Sequence, residues 1–201
     1  HALNTTYWIK LRDWEVLKWA ESAIADGRIQ HLGFSFHDEF EVFQDIVDAY
    51  EKWTFCQIQY NFMDIEYQAG TKGLQYAAKK GLAVVIMEPL RGGQLTAKIP
   101  KSVNELWESA IARRTPADWA LQWIWNHSEV SVLLSGMSTM QQVIENLDSA
   151  DRSGGVTLSN EELILIDKVR EEYRNIAPIA CTNCKYCMPC PNGVEIAAIL
   201  E

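Results

Sequence analysis

Cysteine is almost missing from the first 180 residues, where Cys56 stands alone. That excludes a disulfide scaffold for the body of the chain, since such scaffolds are short and cysteine-dense. It suggests a reducing compartment, and the expected location is cytoplasmic. Long apolar runs are missing too. No stretch approaches the roughly 18 residues of a membrane span, so no membrane association is expected. Basic residues are in the minority, 18 against 27 acidic ones, for a net charge of −9. This argues against a nucleic-acid partner and against an anionic membrane surface. A starting methionine is also lacking. The chain opens at His1 with His-Ala-Leu-Asn leading into a helix. The expectation is that the front of the protein is absent, and this N-terminus carries no argument about a signal peptide.

What is present, in 201 residues, suffices for one well-buried core. Residues 13–26 carry Val16, Leu17, Ala20 and Ile24 at helical spacing, with Asp13 as N-cap and Gly27 as stop. Ile29–Phe36 reads as a strand. Asp38 is placed to cap a helix through Phe40, Phe43, Ile46, Val47 and Tyr50. Thr54–Tyr60 alternates as a strand does, and Thr71–Lys80 is helical up to Gly81. The wholly apolar Leu82–Met87 suits a strand buried on both faces. A helix is expected in the second half of 94–114. Thr115-Pro116-Ala117-Asp118 is a helix start. Val130–Leu134 reads as another buried strand. Capping boxes at Ser138–Gln141 and Ser159–Glu162 open two more helices, and a last short one is expected over Val194–Leu200. Strands alternating with helices imply parallel pairing. Four strands fit either an open doubly wound sheet or half of an eight-stranded barrel.

The remaining four cysteines crowd into ten residues, Cys181-Thr-Asn-Cys184-Lys-Tyr-Cys187-Met-Pro-Cys190. Thiolates converging from a compact loop, closed by Cys-Pro, read as ligands of an iron–sulfur cluster, [4Fe-4S]. Zinc is the alternative, although its structural sites usually separate two C-x-x-C knuckles by a spacer. Disulfides or free thiols are the bland reading. Cys56 on a strand reads as a small buried hydrophobe, so one chain has no ligands for a second cluster.

In parallel α/β folds chemistry sits at the carboxyl ends of strands. Those ends carry Ser35 and His37, then Gln57, Gln59 and Asn61, then Glu88, then Ser135 and Gly136. The loop Pro89–Gly93 has two glycines whose amides could approach a phosphate. The helix start at Ser138 offers free N–H groups for another. Each residue alone reads as readily as a helix cap. His31, His37 and His127 read as surface or capping groups. Trp14, Trp19, Trp107, Trp119, Trp123 and Trp125 read as packing.

Together, Gly33-Phe-Ser-Phe-His37, Gln57-Ile-Gln-Tyr-Asn61, Met87-Glu-Pro-Leu-Arg-Gly-Gly93 and Ser135-Gly-Met-Ser-Thr-Met-Gln-Gln-Val-Ile-Glu-Asn146 resemble the second half of the aldo-keto reductases. The cysteine tail resembles that of a subgroup with a ferredoxin-like C-terminus. The resemblance implies an α/β (β/α)8 TIM barrel, with residues 1–175 its C-terminal half and 176–201 an iron–sulfur tail. It implies reduction of a small-molecule carbonyl substrate with NADP or NAD. His1 matches the tetrad histidine that orients the carbonyl. Ser35 and Gln57 match groups on the nicotinamide carboxamide. Phe36 stands where the family often has asparagine, and Met87 where an aromatic residue often stacks on the nicotinamide. Leu90, Gly92 and Gly93 match the pyrophosphate loop. Gly136, Ser138, Gln142, Glu145 and Asn146 match the adenosine segment. Where some members hold a 2′-phosphate with lysine and arginine, this chain has Gly136 and Gln142. The tetrad's Asp, Tyr and Lys belong to the family's first half, so the chain is expected to be partial and inactive alone. A half barrel would leave open sheet edges, hence an expected self-association. The competing reading is a non-catalytic iron–sulfur or zinc module on a barrel scaffold.

Overall fold

The computed structural model describes residues 1–154, 158–176 and 187–200. Helices and strands alternate as α1 (Thr5–Asp13), α2 (Val16–Ala25), β1 (Gly33–Ser35), α3 (Phe40–Asp48), β2 (Phe55–Gln59), α4 (Gly70–Lys79), β3 (Ala83–Met87), α5 (Lys101–Glu108), α6 (Pro116–Trp125), β4 (Val130–Leu133), α7 (Met140–Asp151), α8 (Asn160–Ile176) and α9 (Ile196–Leu200). The strands form one parallel sheet in the order β1-β2-β3-β4. Each crossover therefore advances the sheet by one strand in the same direction. Right-handed crossovers then put every connecting helix on one face. A doubly wound sheet reverses its strand order at a switch point, and this one does not. The sheet is a singly wound, barrel-type segment, and among the described residues it stays open.

Burial follows that winding. Phe34, Cys56, Ile58, Val84 and Ile86 face the helices and are buried. Phe43, Ile46 and Val47 of α3 and Leu74 and Ala77 of α4 are buried in the same core, as are Trp119 and Ile124 of α6 and Ile166 and Val169 of α8. Each of the valine, leucine, isoleucine and phenylalanine side chains contributes about 1.5–3 kcal/mol relative to exposure. The other face is less covered. β3 alternates between half-buried and buried positions, so its apolar run is not buried on both faces. β4 is not a buried strand either: Val132 is 48% exposed. It is the last strand of the sheet, and among the described residues no further strand pairs beyond it.

Local chemistry moved several boundaries. The helix expected over 13–26 is α2 and starts only at Val16; Asp13 is not its N-cap but the last residue of a separate helix, α1. Asn4 caps α1 through Tyr7 N–H (2.9 Å), and Glu15, in the left-handed region at φ 51°, breaks it from α2. Asp38 does not cap α3. Its carboxylate instead accepts from the Thr5 N–H and hydroxyl (both 2.7 Å), tying α1 to the end of β1. The capping box on α7 uses Thr139 and Gln142, one residue later than Ser138–Gln141. Ser159 and Glu162 bond reciprocally as expected, and Thr115 caps α6. Trp107, Trp119 and Trp123 are core, but Trp14 and Trp19 are not: Trp14 is 71% exposed. Among the described residues no helix is long and apolar enough to cross a membrane.

Candidate functional site

Strand register assembles the site. Ser35 and Gln57 pair across β1 and β2, and Gln57 pairs with Val85 on β3, so their side chains share the face turned away from the helices. The N-terminal residues run beside β1. Leu3 forms a parallel bridge with Phe36, its N–H donating to Ser35 O (2.7 Å) and its carbonyl accepting from His37 N–H (2.9 Å). This brings His1 Nδ1 to 3.0 Å from Ser35 Oγ, which also accepts the Ala2 N–H (2.6 Å). One strand further, Gln57 Nε2 donates to Met87 Sδ (3.2 Å).

Met87 opens the loop that ends at Gly93. The loop is bent back on itself, with φ of 56° at Glu88, 51° at Arg91, 63° at Gly92 and 91° at Gly93. Side chains other than glycine, asparagine or aspartate rarely adopt such values, so something must hold Glu88 and Arg91 there. Asn61 does much of it. Its Nδ2 donates to Glu88 O (3.1 Å) and Asp64 Oδ2 (3.0 Å), and its Oδ1 accepts the N–H of Met63 (3.0 Å) and Asp64 (2.9 Å). Arg91 Nε lies 3.3 Å from Asp64 Oδ2, an ion-pair contact without hydrogen-bond alignment. From α8, the buried Arg170 donates to Phe62 O, next to Asn61 in the chain. Of the two glycine amides expected to face a phosphate, that of Gly93 is turned inward to Leu90 O (2.9 Å).

Between this loop and the segment after β4 lies a cleft of about 780 Å³, within the usual range for small-molecule sites. Met87, Leu90, Gly92, Gly93, Gly136, Ser138, Gln142, Glu145 and Asn146 all line it. A Cβ on Gly93 or Gly136 would meet nothing within 4 Å, so the backbone there opens onto space. Ser35, Gln57 and His1 lie outside the cleft lining and connect to it through Met87. The N–H groups expected to be free at Ser138 are taken. Gln142 Oε1 accepts from Ser138 N–H (2.8 Å), Thr139 N–H (3.2 Å) and Ser138 Oγ (3.3 Å). Gln141 Nε2 donates to Glu145 Oε1 (2.7 Å), and Asn146 Nδ2 to Ser135 Oγ (2.9 Å). Thr96, Ala117 and Met137 also line the cleft. Periodicity gave no sign of them, since α6 and the loop after Gly93 meet the site only through the fold.

His37 is half-buried beside these strand ends. Burial holds its imidazole below the usual histidine range, against the opposing effects of the Gln68 side-chain amide and the nearby Glu88 charge. Cys181 and Cys184 lie outside the described residues. Cys187 is exposed and Cys190 half-buried, both as free thiols. Among the described residues no three metal-ligating side chains gather.

A singly wound parallel sheet with a nucleotide-sized cleft at its strand carboxyl ends defines a barrel-type α/β protein. The chain belongs to the aldo/keto reductase family, whose match runs over residues 8–171. It is 28% identical over 143 residues to the uncharacterized oxidoreductase C215.11c of Schizosaccharomyces pombe, covering 71% of this chain and 43% of that protein. Among solved structures it is similar to the aldo-keto reductase AKR11C1 of Bacillus halodurans in its holo form. There the TM-score is 0.58 at 21% identity, over 74% of this chain and 53% of that one. It is also similar to an aldo/keto reductase of Klebsiella pneumoniae solved with NADP and acetate. That TM-score is 0.56 at 25% identity, over 75% and 51% of the two chains. The chain thus spans about half the length of the relatives it matches.

Proposed function

We propose that this chain is the nucleotide-binding half of an NAD(P)H-dependent aldo-keto reductase acting on small-molecule carbonyls, with an accessory [4Fe-4S] cluster on its cysteine tail. The observation that carries the first part is the cleft: nine residues matched to the family's nucleotide site converge on one cavity. The residues suit such a ligand. Gly92, Gly93 and Gly136 leave the room that a pyrophosphate and ribose require, since only Glu88 Oε2, at 3.8 Å from a Cβ on Gly92, approaches any of the three. A nicotinamide, when bound, supplies a hydride to the carbonyl carbon. Ser35 and Gln57 hold its carboxamide, and Met87 forms a polarizable platform under the ring. His1 directs the carbonyl oxygen. When the Ser35 hydroxyl donates to Nδ1, the proton of a neutral imidazole sits on Nε2, as a donor for that oxygen. None of the seven tyrosines matches the tetrad proton donor, so the 201-residue chain is expected to bind nucleotide without turning over carbonyls.

The cluster rests on spacing alone. Only two of its four proposed thiolates, Cys187 and Cys190, are described, and no step of the reduction is routed through it. Zinc remains the competing occupant. Titration calorimetry of the purified chain with NADH and NADPH tests the cleft, with binding expected. No binding of either nucleotide would overturn that reading. Iron and acid-labile sulfide assays on anaerobically purified protein test the tail. Zinc in their place, or no metal, would overturn the cluster.

A further inference from the structure

We infer that the adenosine end of this cleft is built for the unphosphorylated nucleotide, NADH, and rejects a 2′-phosphate, with Gln142 and Glu145 deciding the choice. The inference rests on the cleft being the nucleotide site. Charge is the first observation. The lining carries two carboxylates, Glu88 and Glu145, and no lysine or arginine. The cation of the same loop, Arg91, is half-buried and engaged with Asp64. A 2′-phosphate brings about two negative charges to a wall that is already negative. Like charges at close range repel even at an exposed position, and salt screens that repulsion.

The second observation is what Gln142 does. Helix N-terminal amides are the ordinary resource for holding an anion without a cation. Here Gln142 Oε1 collects the Ser138 and Thr139 amides and the Ser138 hydroxyl, while Thr139 Oγ1 caps the Gln142 N–H (3.2 Å). The Ser138, Thr139 and Gln142 amides are thus bonded within the chain. A phosphate using the Ser138 and Thr139 amides would have to displace a side chain bonded in three places.

Glu145, one turn further along α7, supplies the positive side of the discrimination. Its carboxylate accepts from Gln141 (2.7 Å) and has further lone pairs. A ribose hydroxyl donates a hydrogen bond and can use them. A phosphate dianion has no proton to donate and meets only repulsion. The same atom therefore favours one nucleotide and opposes the other.

The test is calorimetric titration of the full 201-residue chain with NADH and NADPH at low and high salt. NADH is expected to bind at least about tenfold more tightly, with the ratio shrinking as salt screens the repulsion. Glu145→Gln, at an exposed position that leaves the capping box intact, is expected to narrow the ratio. Gln142→Arg is expected to narrow it further by adding a cation. Equal affinity, or tighter NADPH, would overturn the inference and leave the cleft reading standing. A ratio unmoved by Glu145→Gln would also overturn it. Failure of both nucleotides to bind would remove the cleft reading and the inference together.

Discussion

Replacing Asn61 by alanine tests whether the glycine loop is held from beneath. Asn61 is fully buried, and its amide makes four hydrogen bonds, two accepted from backbone N–H groups and two donated to Glu88 O and Asp64 Oδ2. A net ~0.5–1.5 kcal/mol per bond gives a loss of about 2–6 kcal/mol, the upper end applying where partners are left unsatisfied. At about 2–4 °C per kcal/mol for a chain of this size, the melting temperature should fall by roughly 8–16 °C for a loss near 4 kcal/mol. Urea and thermal unfolding by circular dichroism read this directly. The loop should loosen as well, because Glu88 sits at φ 56° and loses the bond that anchors its carbonyl. Nucleotide affinity at a temperature where the variant is folded should therefore drop. Asn61→Asp separates the two halves of the amide. It keeps an acceptor for the Met63 and Asp64 N–H groups, loses the donor to Glu88 O, and sets a second carboxylate against Asp64. Its deficit should shrink as pH falls and the new carboxyl takes up a proton. A melting temperature for Asn61→Ala within about 3 °C of the parent, a smaller drop than a loss of about 2 kcal/mol produces, would refute the reasoning.

Burial pushes the Cys56 thiol up to about 12 from an ordinary 9.0. Its unfolded form ionises first, so stability is full below pH ~9 and falls as pH rises toward 12, by about 2 kcal/mol at pH ~10.5. Cys56→Ala should flatten that alkaline decline in urea midpoints, and an unchanged decline would exclude this origin. Asp118 behaves oppositely. Burial opposes its ionisation, yet hydrogen bonds from Arg152, Ser149 and Gln122 and the Arg152 charge hold the carboxyl below the usual range. Its contribution is present above the unfolded carboxylate range and is lost as pH falls through the folded value. Asp118→Ala should cost about 2–3 kcal/mol at neutral pH, moderated because Arg152 is half in solvent, and a cost that is undiminished in acid would contradict this. Finally, Val132 and Leu134 at the β4 edge and Met140, Ile144 and Leu147 along α7 are exposed apolar groups, so the isolated chain should associate with rising concentration. Light scattering that reports a monomer throughout would refute this.

Much of the fold was legible because its signals were local. Thr115-Pro116 marked α6, Gly81 ended α4, and apolar alternation marked β2. The strand count was legible while the winding was not. Order β1-β2-β3-β4 is a property of crossovers, and helix–strand alternation is common to barrels and doubly wound sheets. The errors in burial have one cause. An apolar run such as Ala83–Met87 reports that a strand can be buried on both faces, not that both faces are covered. Asp38 shows a different limit. Its capping role looked right from sequence, but Thr5, which is 33 residues away in the chain, offered two donors at 2.7 Å. Long-range donors of that kind leave no trace in spacing.

At the cleft, the sequence supplied residue identities but set one register a residue too early. Ser138-x-x-Gln141 and Thr139-x-x-Gln142 are overlapping capping boxes of equal quality by pattern. The structure takes the second, and the difference is chemical. With Thr139 as N-cap, Gln142 Oε1 gathers three donors, while Gln141 is released to bond Glu145. The first register would have turned Gln141 back instead and left Gln142 and Glu145 with other partners. A shift of one residue therefore decides which glutamine caps the first turn of α7 and which one meets Glu145. Under the inference that this cleft takes NADH, the uncharged residues at 136 and 142 and the Gln142 bonds to the Ser138 and Thr139 amides act together against a 2′-phosphate.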